Sequence, residues 1–277
     1  MPTRDTDTDT EIGAEVFSPR YDLSDSELEE LTVRLLADRT RELPEHYRLV
    51  AIEVDGRSPF SNVGRHVERV VFEATFGNDA AQMTDEYGAY EETSTFFISI
   101  DRETHTPSGV LRIIEDSPHG LKSLNDAARE PFNLELDEAF RFHAITDPTE
   151  IWDIGTVAVL PDYRRGEAAV SVQLYRAMYL SALVHHIKHI VSIVDDRPLR
   201  KMRDFLGIPF VPLADTPPGP YLGSKKSHAV YGYVPHFLPK ARAHRDTMRG
   251  LLVRNALQRL VDGTEDDSIS LDARPGA

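Results

Sequence analysis

The segment IWDIGTVAVLPDYRRGEAA, residues 151–169, decides how the chain folds. Its first ten residues are mostly apolar and rich in β-branched side chains, which predicts a short buried strand. Pro161 has no backbone N–H and cannot continue a strand ladder, so we expect the strand to end there. Helical spacing of apolar residues begins at Val170, directly after three small residues: Gly166, Ala168 and Ala169. The segment therefore predicts a strand, a turn and a helix in immediate succession.

The turn before this helix is a candidate binding site for an anion. The first four N–H groups of a helix have no intrahelical partner, and the helix dipole favours negative charge there. Two arginines at the turn add donors that form charge-assisted hydrogen bonds. A phosphate site and an ordinary strand–turn–helix are about equally compatible with this motif alone. The residues that would bind the anion are Arg164, Arg165, Gly166, Ala168 and Ala169.

The turn resembles the diphosphate-binding loop of the GNAT acyltransferases, which follows such a strand and has the pattern Gln/Arg-x-x-Gly-x-Gly/Ala. Arg164 and Ala169 match its outer positions, and Glu167 stands where the family usually has glycine. A longer resemblance covers Val67 to Val234 and points to two groups of GNAT-fold enzymes. These are the acyl-homoserine-lactone synthases and the long-chain N-acyl amino acid synthases.

Four stretches carry the longer resemblance. Residues 152–159, WDIGTVAV, are similar to the synthases' W-E-L-S-R-F-A-V strand, with Asp153 in the acidic position. Residues 86–98 resemble their E-F-D-x-Y-D segment, and residues 109–124 resemble G-x-x-R-L-L-P-T-x-x-P-x-M-L. Residues 199–234 keep the order of a charged helix, L-G-x-P-F, a glycine–proline loop and a Y-G-Y-V strand.

Three departures fall at positions associated with the synthases' active site. Thr156 replaces the arginine of the strand, and Gly88 and Glu91 replace two aspartates of the acidic segment. These differences count against a lactone-forming reaction on S-adenosylmethionine and leave the expectation of acyl transfer in place.

The resemblance implies an α+β fold of the GNAT type, with a mixed central sheet flanked by helices and extra N- and C-terminal helices. A thioester would splay the sheet between the strands at 151–160 and 189–194. The implied reaction is N-acylation of a small, amino-acid-like amine by a fatty acyl group from acyl-coenzyme A or acyl-carrier protein. Two alternatives stay open: an acetyltransferase that uses acetyl-coenzyme A, and a non-catalytic sensor of acyl-coenzyme A.

The resemblance also implies roles for individual residues. Val157 and Val159 would line the thioester, and Asp153 would accept the proton of the incoming ammonium, unless it is a structural ion-pair partner. Arg112, in the family's arginine position, would bind the acceptor's carboxylate or an internal anion. The candidates for that internal anion are Glu86, Glu91 and Glu92. GNAT enzymes often have a tyrosine acid on the helix after the second core strand, where this chain has Phe205. Nearby substitutes are Tyr221, Tyr231 and Tyr233.

Composition limits the classes of function. The 277 residues are 40% hydrophobic, enough for a sizeable core, and no stretch approaches the length of a membrane span. The chain has no cysteine, which excludes a thiol nucleophile and a cysteine-based zinc site, and we expect no metal site. The N-terminus is acidic and lacks the apolar core of a secretory signal, so we expect a cytoplasmic protein.

The net charge of -15 is concentrated at the two ends of the chain. Residues 1–30 have ten acidic residues against two arginines, and residues 262–277 have five against one. Residues 161–203, in contrast, have eight basic residues against four acidic ones. That local excess suits the phosphates of coenzyme A or an acidic acyl-carrier protein, although a solvated basic helix face is equally compatible. The acidic composition without a basic–aromatic motif argues against a nucleic-acid partner.

We expect one main domain with extensions. The predicted divisions are an acidic disordered tail (1–23), an N-terminal helix (24–44), the GNAT-like acyltransferase domain (45–236), a C-terminal helix (237–262) and an acidic tail (263–277). The N-terminal helix would begin with Ser24 and Glu27 as a capping box and dock through its leucines. Within the domain we expect helices at 62–76, 168–186 and 197–206. The predicted strands are 47–54, 96–101, 109–115, 151–160, 189–194, 208–213 and 228–234.

Overall fold

A mixed β-sheet forms the centre of the protein. The structure, a computed structural model, describes residues 17–39, 43, 47–164, 169–247 and 268–271. Within these residues the strands are β1 (Leu49–Asp55), β2 (Ser94–Asp101), β3 (Thr106–Ile114), β4 (Ile151–Val159), β5 (His189–Asp195), β6 (Val211–Pro212), β7 (Gly219–Tyr221), β8 (Ser224–Tyr233) and β9 (Ile269–Ser270). The helices are α1 (Asp25–Arg39), α2 (Ser61–Phe76), α3 (Ala80–Tyr87), α4 (Lys122–Ala127), α5 (Leu136–Phe142), α6 (Ala169–Val184), α7 (Asp196–Leu206) and α8 (Phe237–Thr247).

The strands lie in the order β6-β8-β5-β4-β3-β2-β1-β9, and β7 also pairs with β8. Strands β1 to β4 are antiparallel neighbours, as are β5 and β8, whereas β4 and β5 are parallel. Because parallel neighbours need a crossover connection, α6 joins β4 to β5. This mixed sheet with flanking helices confirms the predicted α+β class.

Side chains of the sheet alternate between two faces, each covered by helices. Trp152 and Ile154 of β4 pack in an apolar cluster with residues of α6, α7 and α8. Ile151 of the same strand packs on the opposite face, with residues of α4 and α5. Further along the sheet, that second face is covered by α1 and α2. Different helices therefore cover the two faces of strand β4.

Helix α1 begins with the predicted capping box. The Ser24 N–H donates to Glu27 Oε2 at 2.8 Å, and the Glu27 N–H donates to Ser24 Oγ at 3.4 Å. Leu35 and Leu36 are buried in the cluster that α1 shares with α2 and the sheet. The apolar stripe of α1 therefore docks on the sheet domain, as its leucine spacing predicts.

Residues 17–23 pack into the protein, although the sequence assigns them to an acidic tail. Tyr21 and Leu23 are buried. The Leu23 N–H also donates to His66 Nδ1 on α2 at 3.2 Å. The expectation of a disordered tail is therefore wrong for residues 17–23, because Tyr21 packs among residues of α3 and β3 and Leu23 is hydrogen-bonded to α2.

The predicted C-terminal elements fall only partly within the described chain. Helix α8 begins at Phe237, where the sequence predicts a helix, and residues 248–262 lie outside the described residues. Ile269 and Ser270, expected in an acidic tail, instead form β9, which pairs in parallel with β1. Among the described helices, none is long and apolar enough to cross a membrane.

Candidate active site

The sheet splits between β4 and β5. Their parallel ladder has its last pair at Asp153 and Val191. Beyond this point, within the described residues, β4 pairs only with β3 and β5 pairs only with β8. Where the strands separate, Ser192 Oγ donates to the Ile154 carbonyl oxygen at 2.7 Å. We define the opening beyond these residues as the gap, with Asp153 and Val191 at its base. The predicted splay between these two strands is confirmed.

Strand β4 has a β-bulge at the base of the gap. The β3–β4 register shifts between Arg112 and Ile113, which leaves Gly155 as an extra residue on β4. Tyr87 Oη donates to the Gly155 carbonyl oxygen at 3.1 Å. A Cβ at Gly155 would lie 3.2 Å from the Ile114 side chain and 3.4 Å from the Tyr87 ring, tight contacts that favour glycine. The bulge therefore bends β4 at the position where β5 leaves it.

The side chains of β4 and β5 become less buried beyond the point where the two strands separate. Side chains of β4 are buried up to Ile154, and beyond it Gly155, Val157 and Val159 are half-buried. Strand β5 is likewise half-buried from Ile193 onward. The inner edges of both strands have no strand partner among the described residues, which leaves backbone donors and acceptors for an extended ligand. Val157 and Val159, predicted to line a thioester, thus lie on the strand that borders the gap.

An apolar cleft opens beside the base of the gap, on the face covered by α6 and α8. Its cavity volume is about 20 Å³, room for about one water molecule, and the rest of the concave space is open to solvent. Its walls come from β4, α6, α8 and the segment between α7 and β6: Ile154, Tyr175, Met178, Tyr179, Ile208, Phe210, Phe237, Leu238 and Ala241. None of these lining residues is charged, so the cleft suits an apolar group.

The predicted anion site is only partly within the described chain. Ala169 is the first residue of α6, so the helix begins in the turn where it was expected. The exposed Arg164 donates from Nε to the Val159 carbonyl oxygen at 2.8 Å and closes the turn after β4. Arg165, Gly166 and Ala168 lie outside the described residues, and their role in binding phosphate stays a prediction.

Asp153 is fully buried at the base of the gap. Its Oδ2 accepts the Ser123 N–H at 2.5 Å, and its Oδ1 accepts the Ser123 hydroxyl at 2.6 Å. The carboxylate therefore holds the first turn of α4 against β4, and an ion pair with an arginine is not found among the described residues. Burial raises the pKa of Asp153 to about 6, although the hydrogen bonds from Ser123 act in the opposite direction. Such a carboxyl can accept a proton near neutral pH.

Arg112 is also fully buried, and it is paired inside the protein. Its Nε donates to Glu68 Oε1 at 3.0 Å, and its Nη2 donates to Glu68 Oε2 at 2.7 Å. Glu91, one of the expected partners, lies farther away, with Oε1 3.7 Å from Nη1. The rings of Tyr87 and Phe96 lie 4.2 and 4.5 Å from the guanidinium carbon. No surface of Arg112 is open to an acceptor's carboxylate, and its main partner is a residue of α2 that the sequence argument did not name.

The pair of Arg112 and Glu68 belongs to a buried network that fastens α2 to the sheet. Tyr21 Oη accepts from Arg112 Nη2 at 2.7 Å and donates to Glu91 Oε1 at 2.6 Å. Arg65 donates from Nε to Glu91 Oε2 at 2.7 Å. Burial alone would lower the pKa of Arg112, but Glu68 and Tyr21 hold it well above its ordinary value. Two arginines and two glutamates balance in charge, which indicates a structural role for the network.

A second buried cluster lies on the α4 side of the gap, where α4 packs against both β4 and β5. Lys122 is buried, and its Nζ lies 2.9 Å from Glu86 Oε2. The same nitrogen donates to Asp126 Oδ2 at 2.6 Å and to Tyr221 Oη at 2.9 Å. Glu86, expected as a partner of Arg112, is therefore paired with Lys122 instead.

The tyrosines considered as proton donors lie in different places. Tyr221 is hydrogen-bonded to α4 through Lys122, and burial raises its pKa. Tyr231 is on β8, with its ring 3.8 Å from that of His143 and its hydroxyl 2.8 Å from His189 Nδ1. Tyr233 is half-buried at the end of β8. None of these contacts involves β4, so the structure does not single out a tyrosine as the acid.

Two residues at the site were missed by sequence reasoning. Glu68 had a usable signal, because Ser61, Arg65 and Glu68 recur at intervals of four and three residues and so share one face of α2. Ser123 had no such signal, because folding alone brings it to Asp153, 30 residues away in the chain.

No protein-family model matches the chain, and neither does any curated protein. Its fold is similar to that of FeeM, an N-acyl amino acid synthase from uncultured soil microbes, with a TM-score of 0.53 at 18% sequence identity. That alignment covers 73% of this chain and 99% of FeeM. A weaker similarity, with a TM-score of 0.46 at 13% identity, is to BjaI, a CoA-dependent acyl-homoserine lactone synthase, over 82% of this chain and 95% of BjaI. The match to FeeM confirms the fold that the sequence resemblance implied.

Proposed function

We propose that the protein transfers a fatty acyl group from an acyl thioester to the nitrogen of a small amine, an amino acid or a related metabolite. The observation that carries this proposal is the split between β4 and β5 with an apolar cleft at its base. A thioester donor matches both features, because it joins an amide-bearing arm to an apolar chain. The fold shared with an N-acyl amino acid synthase supports an amino acid as the acceptor.

The free edge of β4 would bind the donor's pantetheine arm. An extended chain with amide groups can pair with such an edge as a further strand would. Acyl-coenzyme A and acyl-carrier protein both present this arm, so both are candidate donors. Val157 and Val159 would flank the arm, and the phosphates would lie at the start of α6. The residues proposed to hold them are Arg164, Arg165, Gly166, Ala168 and Ala169.

The apolar cleft is the proposed site of the acyl chain, and its lining side chains would have to move apart to admit the chain, because its present volume is about 20 Å³. Ile154, which lies at the base of the gap, is also part of the cleft wall, so a chain could pass from the gap into the cleft. Each buried methylene contributes about 0.8 kcal/mol, so the six extra carbons of octanoyl over acetyl would add about 5 kcal/mol of binding. This difference favours a fatty acyl donor over acetyl-coenzyme A.

The reaction needs a neutral amine and an acceptor for its proton. The amine nitrogen attacks the thioester carbonyl carbon, the C–S bond breaks, and the sulfur leaves as a thiolate that takes up a proton. Asp153, at the base of the gap, is the group that we assign as proton acceptor, and general acid–base catalysis of this kind contributes about 10²–10⁴-fold. Arg112 contributes indirectly, because its network with Glu68 positions β3 beside β4.

Release of free thiol tests this proposal directly. The chain has no cysteine, so a thiol-reactive dye reports coenzyme A without a background from the protein. Acetyl-, octanoyl- and palmitoyl-coenzyme A are each incubated with the protein, with and without a mixture of amino acids. We expect thiol release that requires a fatty acyl donor and an amine, together with the mass of the corresponding amide. Turnover of acetyl-coenzyme A alone would indicate an acetyltransferase, and binding without turnover would indicate a sensor.

A further inference from the structure

Ser123 stands beside the proposed proton acceptor at the base of the gap. It is the second residue of α4, the helix that packs across β4 and β5 where the two strands separate. Its N–H and its hydroxyl both donate to the carboxylate of Asp153. Both residues are buried, but 6% of Ser123 remains exposed while Asp153 has no exposed surface. Ser123 is therefore the more accessible member of the pair.

The hydrogen bonds of this pair leave the serine oxygen able to accept a proton. A hydroxyl has one donor and two acceptor lone pairs. The Ser123 hydroxyl uses its donor on Asp153 Oδ1, and within the described residues no group donates to its oxygen. Each oxygen of Asp153, in contrast, already accepts a hydrogen bond from Ser123. Because Asp153 has no exposed surface, a proton from outside would reach the carboxylate most directly through the serine oxygen.

We propose that Ser123 relays a proton from the ammonium group of the acceptor to Asp153, an inference that rests on the proposed function. The ammonium donates to Ser123 Oγ while Oγ passes its own proton to Asp153 Oδ1, which leaves the hydroxyl unchanged and the amine neutral. The amine then attacks the thioester carbonyl carbon, and the C–S bond breaks. Asp153 returns its proton through Ser123 to the thiolate. The second proton lost by the nitrogen then passes to Asp153 and on to solvent.

The relay would replace the general acid, often a tyrosine in GNAT enzymes, whose position is occupied by Phe205 in this chain. One carboxyl group would serve first as base and then as acid, so no separate tyrosine is required. The charged groups near Asp153 act on its pKa in opposite directions, which is compatible with a carboxyl that both gains and loses a proton. Lys122 of α4 favours the carboxylate form of Asp153, and Asp126 of the same helix disfavours it. Tyr87 at the end of α3 stays neutral, because burial raises its pKa well above the ordinary value.

The test uses the full chain, octanoyl-coenzyme A and the amino acid mixture, with thiol release as the readout. We expect Ser123→Ala and Asp153→Asn each to lower kcat on the order of 100-fold while the affinity for octanoyl-coenzyme A stays the same. The double variant should be no slower than either single variant, because both changes interrupt one relay. Ser123→Thr keeps the hydroxyl and should recover most of the activity. The rise of kcat through about pH 6, set by the pKa of Asp153, should be absent in Ser123→Ala.

Ser181→Ala is the matched control. Ser181 of α6 is also a buried serine whose hydroxyl donates to a buried carboxylate, that of Glu53 on β1, at 3.0 Å and away from the gap. This variant should keep the kcat of the wild type. A Ser123→Ala variant with the kcat and pH profile of the wild type would overturn the relay and leave the proposed function intact. If the wild-type protein released no amine-dependent thiol from any donor, both proposals would fail together.

Discussion

Removal of one charge from the buried pair of Glu68 and Arg112 should strongly destabilise the protein. Glu68→Gln keeps the shape of the side chain, but the guanidinium of Arg112 loses the negative charge that lies 2.7 Å away while it stays fully buried. An uncompensated buried charge costs about 3–5 kcal/mol. The free energy of unfolding of a whole domain is only about 5–15 kcal/mol. The melting temperature should therefore fall by roughly 6–20 °C.

Urea unfolding followed by tryptophan fluorescence measures this loss. Trp152 is the single tryptophan of the chain and is buried on β4, next to the base of the gap. Glu73→Gln is the control on the same helix, because it breaks an exposed pair with Arg69 and should cost less than about 1 kcal/mol. Removing both buried charges, with Glu68→Gln and Arg112→Met together, should recover much of the stability. If Glu68→Gln costs no more than Glu73→Gln, the charge of Glu68 does not stabilise the buried Arg112.

Three further predictions concern the cleft, the donor's phosphates and the response to acid. Ala241→Trp should fill the apolar cleft and reduce the affinity for palmitoyl-coenzyme A far more than that for acetyl-coenzyme A in calorimetry, whereas Ala243→Trp on the exposed side of α8 should change neither. Ala168→Trp should abolish coenzyme A binding by blocking close approach to the backbone, and Arg165→Ala should weaken it by about 1–3 kcal/mol; unchanged affinity in the Trp variant would place the site elsewhere. Burial lowers the pKa of His143 to about 4, while an unfolded histidine titrates near about 6.5, so its contribution to stability is present above pH 6.5 and lost toward pH 4. His143→Phe should therefore flatten the pH dependence of unfolding within that window, and an identical slope in the two proteins would contradict it.

Local patterns predicted the elements that frame the site. The apolar run before Pro161 is β4, because a proline at that point ends the ladder and the small residues after it let α6 begin. The edge of the sheet was harder to predict. The strand expected at 208–213 is reduced to Val211 and Pro212. Proline has no backbone N–H, so it cannot donate a hydrogen bond to an adjacent strand. Helix α3 was not predicted, although Asp79 and Gln82 form a capping box at its start.

Contacts between distant segments could not be predicted from local patterns. One expected anion, Glu91, lies 3.7 Å from Nη1 of Arg112, but the partner that is hydrogen-bonded to Arg112, Glu68, comes from α2, 44 residues away along the chain. Thr156 stands where the family has an arginine, and its hydroxyl donates to the same Glu68. The residue that distinguishes this chain from the synthases thus belongs to the buried network. Spacing places Glu68 on one polar face of α2, but it does not say which residue of the sheet that face meets, because this depends on how α2 packs against the sheet.

Hydrogen–deuterium exchange with octanoyl-coenzyme A, in the absence of an amine, tests most directly whether the gap is the donor site. The inner edge of β4 lacks a strand partner in the described chain, so its amides between Gly155 and Val159 have room to bind the pantetheine arm. We expect exchange to slow in this segment and in the residues of α8 that line the cleft. Exchange in β1, three strands from β4 in the sheet order and remote from the gap, should be unchanged. Protection elsewhere with none in β4 would contradict the assignment of the gap as the site of acyl transfer.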